Sequence, residues 1–295
     1  MKKMQLLAGR ALLACISLPA LSRLWGRIMR LRHPRFLARI MIRRFQKHYR
    51  IDMEEFQGEV SDYRSLCEFF LRPLDSAKRP LPMDSECLLA PADGRLSELE
   101  LLTTDLATQV KGKTYPVSRL LATGIDFSRG WYLATIYLSP SNYHRFHYPL
   151  SGRISGCFHG GNRLFPVNDF STSRVKGLYI KNERLVTRFA LQDGPFFLAA
   201  VGATFVGSIG MQYLGAGLPA KNEWLPLDIP VQQMAEMGHF AMGSTIILLF
   251  PACRVEKVLA EKGKAVRIGD PLFKIKNGTD APAAKPDSIN QRQDQ

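Results

Sequence analysis

Met242-Gly243-Ser244-Thr245-Ile246-Ile247-Leu248-Leu249-Phe250 is the stretch whose reading decides the fold. From Ile246 to Phe250 every residue is apolar. The run is too short for a helix and begins with β-branched residues, so it predicts a buried strand entered through a Gly-Ser turn. Working outward, Trp131 to Leu138, Arg184 to Leu191, Phe196 to Val206 and Arg254 to Leu259 repeat that texture. They are short apolar or β-branched runs punctuated by Gly, Pro, Asn and Asp. Val255 to Leu272 has the hairpin rhythm of small hybrid barrels, without the Met-Lys pair of a carrier domain. The expected fold is α+β and mainly β, a hybrid-barrel-like body preceded by N-terminal amphipathic helices. One short helix is expected at Tyr63 to Leu71, ending at Arg72-Pro73.

The Gly243-Ser244 bond also has a chemical reading. A serine hydroxyl can attack the carbonyl before it when that residue carries no side chain, turning the amide into an ester. Elimination of the ester leaves a dehydroalanine, which hydrolyses to a pyruvoyl group at a new N-terminus. Such a ketone is the electron sink that decarboxylation of an amino acid requires. Gly and Ser are ordinary turn residues, and on the tetrapeptide alone the turn is the simpler reading.

The net charge of +14 is unevenly spread. No acidic residue precedes Asp52, and that segment carries thirteen Lys and Arg, which leaves the remainder nearly balanced. Arg23, Arg27 and Arg30, then Arg35, Arg39 and Arg43, fall at helical spacing against Leu37, Ile40, Met41 and Phe45. This describes interfacial helices that meet anionic lipid through their cations and bury their other face at the acyl boundary, with Trp25 as an anchor. A secretory signal fits poorly, because Arg10 interrupts the apolar stretch and basic residues continue beyond any cleavage point. The longest apolar run, Ala11 to Ser22, is short of the roughly 20 residues of a spanning helix. Nucleic-acid binding lacks its usual motifs. Residues 1–50 thus form a basic membrane arm and 51–276 a catalytic domain, with a disordered tail at 277–295. The cysteines, Cys15, Cys67, Cys87, Cys157 and Cys253, are odd in number and scattered, which suits a reducing compartment.

Three further residues complete a chemical set with Ser244. Asp93 lies in Pro91-Ala92-Asp93-Gly94, and His144 and His147 lie in Tyr143-His144-Arg145-Phe146-His147 after the Ser139-Pro140 break. A serine hydroxyl is a poor nucleophile until an imidazole takes its proton, and a carboxylate can fix that imidazole's tautomer. Each residue also has a structural alternative, a turn Asp or a hydrogen-bonded core His. A metal site is not expected, since no third ligand stands at an obvious spacing.

In these segments the chain resembles the bacterial-type, membrane-associated, pyruvoyl-dependent phosphatidylserine decarboxylases, from about Ile51 to Ile275. The matching stretches are Phe69-Phe70-Leu71-Arg72-Pro73-Leu74, Pro91 to Gly94, Lys111-Gly112-Lys113, Leu138-Ser139-Pro140 with Tyr143 to His147, Phe165-Pro166-Val167-Asn168, Lys181-Asn182-Glu183-Arg184, Val201-Gly202-Ala203-Thr204, and Glu236 through Thr245. Two departures are Met242, where the family usually has Leu, and Gln232-Gln233, where it usually has Lys-Gly.

The resemblance implies that Asp93, His147 and Ser244 form a charge relay for self-cleavage between Gly243 and Ser244. A large chain (1–243) and a small chain (244–295) result and stay associated as a heterodimer, with Thr245 to Phe250 held in a shared sheet. The pyruvoyl group from Ser244 would form a Schiff base with the amine of phosphatidylserine, release carbon dioxide and yield phosphatidylethanolamine. His144 is the candidate proton donor, and Lys113 and Arg145 are candidates for the headgroup phosphate. The implied location is the cytoplasmic face of the cell membrane, peripherally attached. Two alternatives come from other classes. A Ser-His-Asp lipid hydrolase would need glycines two residues either side of the serine, where Met242 and Ile246 stand. A non-catalytic lipid-binding protein would remain one intact chain. Pyruvoyl decarboxylases of histidine, aspartate or S-adenosylmethionine share the chemistry but not the lipid-seeking arm.

Overall fold

A computed structural model describes residues 19–32, 34–110, 113–204, 209–215, 217–240 and 244–276. Residues 1–18 of the arm, the Lys111-Gly112 pair, the stretch 241–243 that holds Met242 and Gly243, and residues 277–295 lie outside the described residues.

Among the described residues the first elements are two helices, α1 (Pro19–Arg30) and α2 (Arg35–Tyr49), then the short α3 (Leu66–Phe70). The strands are β1 (Cys87–Leu89), β2 (Gly94–Leu102), β3 (Leu106–Val110), β4 (Lys113–Pro116), β5 (Trp131–Leu138), β6 (Arg145–His147), β7 (Gly152–Gly160) and β8 (Arg184–Leu191), followed by β9 (Gly194–Gly202), β10 (Ile209–Met211), β11 (Trp224–Val231), β12 (Glu236–Phe240), β13 (Ser244–Pro251), β14 (Val255–Val258), β15 (Ala265–Val266) and β16 (Pro271–Ile275). The fold is α+β and mainly β, and its sheets are open.

The main sheet runs β11-β7-β8-β9-β13-β5-β2-β15, with three smaller sheets, β1-β16-β14, β10-β12-β6 and β3-β4. β13 is central and buried throughout. Antiparallel ladders tie it on one side to β5, from Ser244↔Leu138 to Pro251↔Trp131. On the other side it meets β9, from Ser244↔Gly202 to Leu249↔Phe197. Its two faces enter two different cores. Ile246, Leu248 and Phe250 pack with Leu96, Phe189, Phe196 and Phe273, whereas Ile247 and Leu249 pack with Leu133, Phe197, Ala199 and Val201. An unbroken apolar run is what a strand covered on both faces requires.

β5 and β8 occupy the residues their sequence texture predicts. The hairpin rhythm after Val255 resolves into β14 paired with β16, while β15 leaves to pair with β2. α3 is shorter than expected and starts at Leu66. Ser65 accepts a hydrogen bond from Glu68 N–H at 3.1 Å and the Glu68 carboxylate accepts from Arg64 N–H at 2.8 Å. This Ser-x-x-Glu arrangement sets the N-terminus and leaves Tyr63 and Arg64 outside.

α2 buries Ala38 and Ile42 and exposes Phe36, Leu37 and Ile40. Among the described residues no helix is long and apolar enough to cross a membrane.

Candidate active site

The main sheet delivers Ser244 to the end of its central strand, and two chain paths bring the histidines back to that end. After Leu138, the partner of Ser244, the chain reverses at Ser139 to Asn142. Ser139 N–H donates to Asn142 Oδ1 at 2.8 Å and Asn142 N–H to Ser139 O at 3.0 Å. His144 follows directly. Its carbonyl accepts from Phe240 N–H at 2.9 Å, four residues before Ser244. β6 then pairs with β12, Glu236 opposite His147 and Gly238 opposite Phe146. Gly238 is required by this close approach, because a Cβ there would lie 2.3 Å from the Gly210 carbonyl oxygen and 2.7 Å from the Phe146 ring.

Ser244 is fully buried, and its hydroxyl oxygen has no hydrogen-bond partner among the described residues. A buried hydroxyl left unpaired is costly, a condition that the adjacent Thr245 shares.

His144 is also fully buried, its ring against Phe70 with centroids 3.9 Å apart. Nδ1 lies 2.9 Å from the Asn142 carbonyl oxygen, which can only accept, so Nδ1 carries the proton. Nε2 is left with its lone pair and no partner among the described residues. Burial pushes this imidazole down to about 3, and the nearby Arg72 charge adds to the effect. His144 is therefore neutral at physiological pH.

His147 is engaged at both nitrogens. Nδ1 donates to the Met234 carbonyl at 2.6 Å and Nε2 accepts from the Tyr143 hydroxyl at 3.2 Å. Burial lowers its pKa, opposed by the Met234 bond and by the carboxylates of Glu236 and Asp93, with Arg145 acting in the lowering direction.

Asp93 adjoins this histidine through the backbone, since His147 N–H donates to Pro91 O at 2.8 Å. Its carboxylate is committed elsewhere. Arg79 donates to both oxygens, at 2.8 and 2.6 Å, and Ile268 N–H donates to Oδ1 at 2.8 Å. Among the described residues no hydrogen bond joins Asp93 to His147.

The two phosphate candidates fare differently. Arg145 is held by the Glu236 carboxylate at 2.9 Å and by the Leu71 carbonyl at 2.9 Å, and Lys113 opens β4 in a separate two-stranded hairpin.

Three residues that sequence reasoning did not assign take part in this geometry. Arg72, fully buried, donates to the Ser141 and Asn142 carbonyls at 3.0 and 3.3 Å and so braces the turn that orients His144. Burial pulls its pKa down to about 10. Arg79 clamps Asp93. Met234 supplies the acceptor for His147 from a left-handed backbone, φ +61°, which costs a non-glycine residue about 1–2 kcal/mol. The departure at Gln232-Gln233 was the one sequence signal near it.

Comparison with known proteins meets the same region of the chain. A family model for phosphatidylserine decarboxylase matches residues 66–274. A phosphatidylserine decarboxylase proenzyme of Anaeromyxobacter sp. (strain K) is 38% identical over 266 residues, covering 86% of this chain and 93% of that protein. Its namesake in Methylobacillus flagellatus is 37% identical over 242 residues (79% and 85%), and that of Escherichia coli O127:H6 is 35% identical over 252 residues (80% and 78%). The matched span holds Asp93, both histidines and Ser244, and on these similarities the chain belongs to the phosphatidylserine decarboxylase family.

Proposed function

We propose that this chain is made as a proenzyme, cuts itself between Gly243 and Ser244, and decarboxylates phosphatidylserine to phosphatidylethanolamine with a pyruvoyl group derived from Ser244. The family supports the reaction, and the word proenzyme in its members' names supports the processing. The observation that carries the residue assignment is the Ser244 hydroxyl, buried without a partner among the described residues at the first position of the central strand. That position suits a residue destined to become a new chain end. The strand behind it is held on both sides by strands of the upstream segment, so 1–243 and 244–295 remain one body after the cut.

In processing, His147 takes the hydroxyl proton through Nε2 and the serine oxygen attacks the Gly243 carbonyl. The carbon–nitrogen bond breaks as the amine takes a proton, elimination of the resulting ester frees the Gly243 carboxylate, and hydrolysis of the dehydroalanine left at residue 244 gives the ketone and ammonia. Asp93 contributes negative charge beside the imidazolium that forms. In turnover, the pyruvoyl ketone supplies the electron sink for the departing carboxylate. His144 is neutral with Nε2 unpartnered among the described residues, so it first takes up a proton from solvent and then delivers it to the carbon that has lost carbon dioxide.

The same reading makes 1–50 a membrane arm and 51–276 the hybrid-barrel-like catalytic body. The exposed Phe36, Leu37 and Ile40 beside Arg35, Arg39 and Arg43 support peripheral attachment to the anionic cytoplasmic leaflet.

A denaturing gel with mass spectrometry tests the central claim. Two fragments ending at Gly243 and starting at a blocked residue 244 are expected, with Ser244→Ala left whole. Full decarboxylase activity from an uncut chain overturns the claim, and an uncut chain labelled on Ser244 by a fluorophosphonate points to a hydrolase instead.

A further inference from the structure

We propose that the Gln232 to Ala235 turn is the positioning element for His147: the Met234 carbonyl, anchored through Gln233, fixes the imidazole as the Nδ1–H tautomer and so puts the lone pair on Nε2, where the Tyr143 hydroxyl caps it at rest and gives way to the serine proton. The inference rests on the reading of His147 as the base in self-cleavage and assigns its orienting partner.

The Met234 contact fixes the tautomer, and the Tyr143 contact is compatible with it. A carbonyl has no proton to offer, so the 2.6 Å contact with Met234 requires a proton on Nδ1. The Tyr143 hydroxyl then donates into the lone pair on Nε2 at 3.2 Å. The usual orienting group in such a set is a carboxylate. Here Asp93 has its oxygens taken by Arg79 and Ile268 N–H, and Glu236, across the ladder from His147, is held by Arg145. The carbonyl fills the vacant role.

The turn is fastened more firmly than a passing loop. The buried Gln233 side chain reaches the carbonyls of Asp84, Cys87 and Pro149 at 3.0, 3.0 and 3.1 Å and accepts from Asp84 N–H at 2.8 Å. Its own N–H donates to Ser151 Oγ at 2.9 Å. Met234 N–H donates to Tyr148 O at 2.9 Å and Tyr148 N–H to Ala235 O at 3.0 Å, which locks the turn to the residue that follows His147. The left-handed conformation at Met234 is imposed on a residue that does not favour it, and such strain persists only where the surroundings over-determine it. What it achieves is the aim of one carbonyl at one imidazole. Gln233 and Met234 are positioning residues, acting through His147. The charged and titratable groups that face His147 are Asp93, Tyr143, Arg145 and Glu236.

The test uses the full chain with ¹⁵N-labelled histidine, held uncut by Ser244→Ala, and assigns His147 by its loss in His147→Gln. The Nδ1–H tautomer is expected, and the Nε2–H tautomer overturns the inference. Adding Gln233→Leu should mix the tautomers, and in the Ser244 parent it should slow self-cleavage about tenfold, the loss of roughly one hydrogen bond. Adding Met234→Gly, which keeps the carbonyl and favours the same backbone, should leave the tautomer unchanged. Should Gln233→Leu fail to fold, the tautomers of the Ser244→Ala and Met234→Gly proteins still decide. Normal tautomer and rate in Gln233→Leu sink this inference alone, whereas normal self-cleavage in His147→Ala removes the role of His147 on which it rests.

Discussion

Arg79 grips Asp93 through both carboxylate oxygens, at 2.8 and 2.6 Å, with only 8% and 13% of the two side chains exposed. Truncating one partner of such a buried pair strands the other charge, at about 3–5 kcal/mol. Arg79→Ala in the uncut Ser244→Ala proenzyme should therefore lower its unfolding free energy by that amount, read by chemical denaturation. A loss below about 1 kcal/mol would mean that the clamp is worth no more than a surface pair. The same measurement on Asp93→Asn is needed before any processing defect of that variant is ascribed to chemistry.

His144 should show itself in acid stability. Its imidazole titrates near 3 in the fold and near 6.5 when exposed, because burial disfavours the charged form. Between those values the unfolded chain binds the extra proton, so this contribution is complete above about pH 6.5 and is lost as pH falls toward 3. The slope from one such group is about 1.4 kcal/mol per pH unit. His147 and His239 are also lowered by burial and add to the loss in the same direction. His144→Gln should flatten the stability profile across this window, and an unchanged slope would show that the imidazole is already charged in the fold.

How much of this was legible in the sequence differs between backbone and site. The central strand declared itself because both of its faces are covered and every residue from Ile246 to Phe250 is apolar. β5 and β8 were equally plain. The start of α3 was displaced by Ser65 and Glu68, whose side chains bond local backbone more effectively than helical periodicity extends the helix. At the site, the residue types that carry chemistry could be picked out, but their partners could not. The acceptor for His147 is a main-chain carbonyl 87 residues away, and a carbonyl leaves no trace in residue identity. The Arg79 and Asp93 pair spans an irregular connection whose path only tertiary packing sets.

If the chain is cut as proposed, the join between 1–243 and 244–295 should depend on β13. Leu248 is fully buried in the core that also holds Leu96, Phe189 and Phe273. Leu248→Ala should cost about 2–5 kcal/mol and lower the denaturant concentration at which fragments 1–243 and 244–295 separate on size exclusion. Separation at the parental midpoint would place the cohesion of the two chains elsewhere.

The last prediction concerns α2, where Phe36 and Ile40 keep 68% and 46% of their surface exposed beside Arg35, Arg39 and Arg43. An apolar row flanked by cations attracts anionic headgroups and then buries its side chains below them, so two separable terms should appear in vesicle binding. Phe36→Asp with Ile40→Asp removes apolar burial and adds repulsion, and partitioning onto phosphatidylglycerol vesicles should fall at every salt concentration. Arg35→Gln with Arg39→Gln removes the electrostatic term alone, so its deficit should be large at low salt and shrink as salt screens the parent. Decarboxylation of a short-chain, water-soluble phosphatidylserine should be unchanged in both, because neither pair touches Ser244 or the histidines. If both variants partition like the parent, α2 faces something other than a bilayer.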